Sequence, residues 1–206
     1  MVRFDIDSSR MTLLVHDMQN AFLGHISSFP EECRSIVPNL QRLIAAFRAK
    51  ARPVIYSQVT MRRDFLDWRL VTAVFPREAL EELAEGSPGI GICPELAPAK
   101  GDIVIRKSAY SPFQNTSLEN ILRGLGFDTL VVAGVTTNVG CDSTIRDAFY
   151  RGIKTLLVTD ASGTDGISET PWGPISAEQM HRATCATLGQ YFSELATTEQ
   201  VLARLR

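Results

Sequence analysis

The sequence predicts a doubly wound, Rossmann-like α/β fold, with a parallel six-stranded sheet covered by helices on both faces. Two observations carry this. Short apolar runs rich in β-branched residues recur along the chain without the apolar–polar alternation of a half-exposed sheet, as expected of strands buried on both faces. Between them, apolar residues recur at helical spacing, and strands alternating with helices are the mark of parallel βαβ units.

Met11 to His16 (MTLLVH) is an apolar run stopped by Asp17, which reads as a buried strand with a polar tip. Ile36, Leu40, Leu43, Ile44 and Phe47 then share one helical face, and the pattern stops before Pro53, which cannot continue a helix. Pro53 to Gln58 (PVIYSQ), Asp102 to Arg106 (DIVIR), Thr129 to Gly134 (TLVVAG) and Lys154 to Asp160 (KTLLVTD) supply four more strands. Helical stripes separate the later ones: Leu118, Ile121, Leu122 and Leu125, then Cys141, Ile145, Ala148 and Phe149. Met180, Ala183, Thr184, Thr187, Leu188 and Tyr191 mark a late helix. Glu194 to Thr197 offers a small last strand, before a terminal helix with Thr198 as its expected cap. Thr60 to Phe75 and the Gly/Pro-rich Gly163 to Ile175 fit no regular element. Loops of this length serve as lids or interface arms, or are irregular surface connections.

Composition narrows the function. The 206 residues are 45% hydrophobic and 21% charged, with Gly and Pro spread throughout, so one globular domain over 1–206 is expected. Lys plus Arg number 21 against 23 Asp plus Glu, for a net charge of −2, which is no footprint for nucleic acid. Apolar stretches such as Leu130 to Val135 fall far short of the roughly 20 residues that cross a bilayer. Met1 to Arg10 lacks the apolar core of a signal peptide, so the expected location is the cytoplasm, away from membranes. The cysteines at 33, 93, 141 and 185 form no C-x-x-C pair, which suggests neither a zinc knuckle nor a dithiol.

Open parallel sheets bind ligands beyond the carboxyl ends of their strands, where strand order reverses. That rule selects Asp17, Gln58, Lys107 and the turn from Thr136 to Cys141 (TTNVGC). A carboxylate, an ammonium group and a helix N-terminus would then meet around a small-molecule substrate.

Asp17, Lys107 and the turn lie in three blocks, VHDMQNAF (Val15 to Phe22), KSAYSPFQNTSLENIL (Lys107 to Leu122) and AGVTTNVGCDSTIRDAF (Ala133 to Phe149). Together they resemble the signature blocks of the isochorismatase-like hydrolase superfamily, also called cysteine hydrolases. The resemblance implies a six-stranded parallel sheet, self-association into homodimers or larger homo-oligomers, and an Asp–Lys–Cys triad opening small amides or related substrates. Asp and Lys map onto Asp17 and Lys107. The family's nucleophile comes six residues after the glycine ending the fourth strand, which here is Gly140, and Cys141 is one place late. Isochorismatases proper also carry Gly-Cys at this point and hydrolyse a vinyl ether without a thiol, and a glutamine resembling Gln58 orients their substrate. They differ in bearing an aromatic residue and a histidine where this chain has Thr136 and Asn138; Thr-Thr-Asn is the form of the amidohydrolases. Nicotinamidase-like members bind zinc through D-x-H-x-H after the second strand. This chain reads Gln58-Val59-Thr60-Met61-Arg62, so neither metal nor cofactor is expected.

Cys141 lies on the stripe with Ile145, Ala148 and Phe149, pointing into the core, and a one-residue offset turns it about 100° from Gly140. The opposing reading is a thiol activated by the helix N-terminus. Replacing Gly140 by cysteine is expected to place a thiol facing Asp17 and Lys107. Asp17 is read as an acid/base group and Lys107 as the cation stabilising its charge. Thr136 and Gly140 would border the substrate. Arg62, Arg63 and Arg69 either clamp carboxylates or are solvated, and His16, His25 and His181, too scattered for a ligand set, are expected to be structural. Three functions remain open: a vinyl-ether or similar hydrolase, a cysteine amidohydrolase using Cys141, and a non-catalytic binder.

Overall fold

A computed structural model describes residues 1–25 and 34–205. Its sheet is built from β1 (Met11–His16), β2 (Val54–Val59), β3 (Ile103–Lys107), β4 (Thr129–Val135), β5 (Lys154–Gly163) and β6 (Glu194–Ala196), in the order β3-β2-β1-β4-β5-β6. Every pairing is parallel. The chain winds outward from β1 through β2 to β3, then returns to the other side of β1 with β4, so strand order reverses between β1 and β4.

The helices are α1 (Val37–Ala49), α2 (Arg77–Glu81), α3 (Leu118–Leu125), α4 (Asp142–Tyr150), α5 (Ala177–Tyr191) and α6 (Thr198–Arg204). Alternate residues of a strand point to opposite faces, and both faces are covered here. Leu13 and Val15 pack with Leu40, Leu43 and Phe47 of α1 and Val201 of α6. Leu14 packs on the other side with Leu122 of α3, Ile145 of α4 and Leu188 of α5. All residues of β1, β2 and β4 are buried, which is why these strands show no polar alternation. Each fully buried leucine or valine among them contributes roughly 1.5–3 kcal/mol. A third cluster, with Met61, Phe65, Val71, Leu80 and Leu83, is supplied by the segment after β2 and roofs the carboxyl ends of the strands.

Several local expectations need correction. β5 runs on to Gly163 because, after a register shift between Val132 and Gly134, pairing resumes at Ser162 and Gly163. β3 lies one residue along, so Lys107 ends the strand rather than following it. The segment from Thr60 to Phe75 is partly regular, with 3₁₀ turns over Leu66–Ala73 broken at Trp68, and it leads into the short α2. Thr197, not Thr198, caps α6: its side chain accepts from the Gln200 N–H and the Gln200 side chain returns to the Thr197 N–H. Thr198 is buried, its N–H and hydroxyl both donating to Asp160 at 2.7 and 2.9 Å. Phe149 leaves the buried stripe of α4, being 41% exposed and edge-on to Phe192. Cys33 and the side chain of His25 lie outside the described residues.

Candidate active site

Asp17 follows β1 at the reversal point, with a left-handed backbone (φ 49°) and a buried side chain. Aspartate is among the residues that tolerate this region, and such backbones concentrate at functional sites. The parallel register sets His16 opposite Ser57 of β2. Ser57 can therefore serve Asp17 twice, its Oγ donating to Oδ1 at 2.6 Å and accepting from the Asp17 N–H at 3.2 Å. The other carboxylate oxygen accepts from Lys107 Nζ at 2.7 Å. Lys107 also donates to the carbonyls of Ala109 (2.9 Å) and Tyr110 (3.0 Å), so all three of its N–H bonds are engaged within the protein. Burial pushes the Lys107 ammonium below its ordinary range, against the opposing pull of Asp17.

Beside this pair stands His16, fully buried. Burial takes its pKa down to about 4, against the attraction of Asp17, so the ring is neutral at neutral pH. Its Nδ1 lies 2.8 Å from the Val135 carbonyl, which accepts the Nδ1–H, and 3.3 Å from Asp17 Oδ2. Nε2 has no hydrogen-bond partner among the described residues. The ring edge faces Gly140. A Cβ on Gly140 would stand 2.3 Å from His16 Cε1, closer than any real contact, so the glycine makes room for the imidazole. Gly134 is required for a second reason: its φ is +123° and a Cβ there would meet the His16 carbonyl oxygen at 2.2 Å, where β4 closes on β1.

The turn Thr137–Cys141 is π-helical and leads directly into α4. Cys141 is fully buried with Leu14, Ile55 and Ile145, and burial raises its thiol pKa far above the ordinary value. A cavity of about 350 Å³ opens over Asp17. Thr136, Val139 and Gly140 border it on the turn side, Phe22, Met61, Trp68, Phe75 and Tyr110 wall it, and Asp165 reaches it from the loop after β5. Trp68 and Tyr110 meet edge to face with ring centroids 4.8 Å apart.

Of the sequence-predicted site residues, Asp17, Thr136 and Gly140 border the cavity, while Lys107 lies just behind Asp17. Cys141 and Gln58 are not among its lining residues. Gln58 instead donates its amide to the Ile90 carbonyl at 2.5 Å. Arg62 is paired with Asp64 at 2.6 Å, and neither Arg63 nor Arg69 lines the cavity. His181 bonds Thr137 Oγ1 at 3.0 Å. The expectation for Gly140→Cys needs correction, since the ring of His16 already holds the space a cysteine side chain would enter. Sequence reasoning missed Ser57, and took His16 for structural alone. One signal was available for each, a polar residue buried in a strand at the level of Asp17.

Residues 11–200 match the family model of the isochorismatase domain. The chain belongs to the isochorismatase family. It is 30% identical to the ureidoacrylate amidohydrolase RutB of Methylobacterium radiotolerans, over 96% of this chain and 81% of that one. Its structure is similar to a cysteine hydrolase from Pseudomonas syringae pv. phaseolicola 1448A, with a TM-score of 0.93, 32% identity, and coverage of 99% and 96% of the two chains. It is also similar to the N-carbamoylsarcosine amidase of Thermoplasma acidophilum, with a TM-score of 0.75, 25% identity, and coverage of 92% and 97%. As an isochorismatase-family hydrolase, this enzyme keeps the aspartate and lysine of its family's blocks in direct contact, and carries an imidazole against Gly140.

Proposed function

We propose that this isochorismatase-family hydrolase cleaves a vinyl-ether or similar bond of a small metabolite by acid/base chemistry at Asp17, backed by Lys107, without a thiol nucleophile. One observation carries the reading: the His16 ring fills the space beside Gly140 where a nucleophile's Cβ would stand. Cys141 supports it from the other side, being fully buried in the sheet–helix core.

In this mechanism a proton held between Lys107 Nζ and Asp17 Oδ2 passes through the carboxyl group to the terminal carbon of the substrate double bond. Positive charge develops on the ether carbon, facing the carboxylate of Asp17. Water adds to that carbon and returns a proton to Asp17, and the hemiketal breaks its C–O bond to release a ketone and an alcohol. One water is consumed and the Asp17–Lys107 pair is restored. Gly140 and Thr136 line the cavity in which the reacting atoms and the water would sit. Gln58 acts as a positioning residue, holding the turn at Ile90 through its amide.

The relatives named as amidohydrolases favour a second reading, acyl transfer with Cys141 as nucleophile. It requires the thiol to leave a core in which it is fully buried and to turn by about 100° toward Asp17. Asp17→Asn and Cys141→Ala separate the two. Asp17→Asn should lower turnover by about 10²–10⁴ with the fold retained, whereas Cys141→Ala should keep most activity and native Cys141 should resist iodoacetamide. Rapid labelling of Cys141 with parallel loss of activity would establish the thiol enzyme instead.

We further propose that the hydrolase works in the cytoplasm and self-associates. No helix among the described residues is long and apolar enough to cross a membrane. Leu66, Leu70 and Val74 are exposed apolar side chains on the segment that roofs the cavity, a composition suited to an interface.

A further inference from the structure

Charge at the cavity is distributed in a way that bears on what can enter it. Among the described residues, the charged side chains bordering it are the carboxylates of Asp17 and Asp165, and the rest of the wall is apolar or aromatic apart from Thr136 and the Tyr110 hydroxyl. The nearest ammonium, Lys107, has no exposed side-chain surface and spends its three N–H bonds on Asp17, Ala109 and Tyr110. Arg62 is held by Asp64. Among the described residues, no cation is free to replace the water that an entering carboxylate would lose, which disfavours the charged form. By contrast, the edge-to-face pair of Trp68 and Tyr110, with Phe22 and Phe75, offers ring faces and edges to a flat apolar group. About 350 Å³ accommodates a single substituted ring with the scissile group over Asp17.

We infer that the substrate is uncharged, with a flat apolar body the size of one ring, and that the site discriminates against the corresponding carboxylate. The inference rests on the cavity over Asp17 being the substrate site, as proposed above, and it does not depend on which bond is cleaved. The test is calorimetric titration of the full chain with two matched pairs at neutral pH: phenyl vinyl ether against 4-(vinyloxy)benzoate, and benzamide against 4-carbamoylbenzoate. The neutral member of each pair should bind at least about tenfold more tightly than its carboxylate. Trp68→Ala should weaken the neutral ligands by about fivefold or more while leaving the thermal unfolding curve nearly unchanged. Carboxylates binding as tightly as their neutral partners, no binding by any of the four, or unaltered affinity in Trp68→Ala would each overturn the inference. Phenol release from phenyl vinyl ether is followed separately. Tight binding without turnover would count against the acid/base hydrolysis and leave the assignment of substrate class standing.

Discussion

At the scale of single residues the site turns on where one proton resides. Lys107 Nζ and Asp17 Oδ2 are 2.7 Å apart and buried together, and burial weakens the hold of Lys107 on its proton. Opposite charges this close stabilise one another, and removing one changes the behaviour of the other. Lys107→Met takes away the cation, and a carboxylate without a cationic neighbour is protonated more readily. The pH–rate profile of the residual activity should therefore move to higher pH than in the parent. A profile that stays in place would show that the pair does not act as a unit. The partners of Asp17 were unevenly legible. Asp17 and Lys107 are strand-end residues inside recognisable blocks, whereas Ser57 reaches Asp17 only because the β1–β2 register sets it opposite His16.

Between elements, the decisive contact is β1 against the turn that starts α4. His16 lies at the end of β1 and Gly140 in the turn, and the ring of one occupies the Cβ position of the other. Gly140→Cys should destabilise the fold by roughly 1–3 kcal/mol through overpacking, and should yield no reactive thiol. Combining it with His16→Ala should recover part of that loss, giving a favourable coupling of about 1–2 kcal/mol in a double-mutant cycle measured by urea unfolding. Strictly additive effects would mean that the imidazole is not what excludes the larger side chain. A similar dependence on neighbours governs the segment after β2. Its residues have no consistent period, yet Met61, Phe65, Val71 and Leu80 are buried together because they close over Ala21 and Val59.

For the molecule as a whole, the buried imidazole makes stability depend on acidity. His16 ionises at about 4 in the folded protein against an ordinary value of 6.5. The unfolded chain therefore binds the extra proton between these values, and stability falls as the pH falls through that window. The loss attributable to His16 is about 2 kcal/mol between pH 7 and pH 5. Urea midpoints at the two pH values should show it in the parent and show a smaller loss in His16→Gln; equal losses would remove His16 as the cause. Lys107 contributes with the same sign in the alkaline range, below its ordinary value of 10.5, because its folded pKa is also lowered. The proposed self-association is read from a different surface. Leu66, Leu70 and Val74 are 68%, 82% and 63% exposed, so light scattering at micromolar concentration should report a dimer or larger particle, and Leu70→Glu should shift it toward monomer. A monomeric parent protein would contradict this role for the three side chains.

Taken alone, the sequence determined the α/β class, the order of strands and helices, and the strand ends where a site could form. Burial on both faces of β1, β2 and β4 is written into residue type, since strands covered twice must be apolar throughout. It also singled out Asp17, Lys107 and the absence of cysteine at 140. Boundaries depended on neighbours instead. β5 extends to Gly163 through its pairing with β4, and Thr198 yields the cap of α6 to Thr197 because Asp160 engages its hydroxyl. Only the tertiary structure decided that His16 and Gly140 compete for one volume, that Lys107 has no N–H left to offer a ligand, and that Gln58 holds a turn rather than lining the cavity. The physical reason is common to all three. A side chain's type fixes which bonds it can make, but the partner that uses them is brought within reach by strand register and closure of the chain over the sheet.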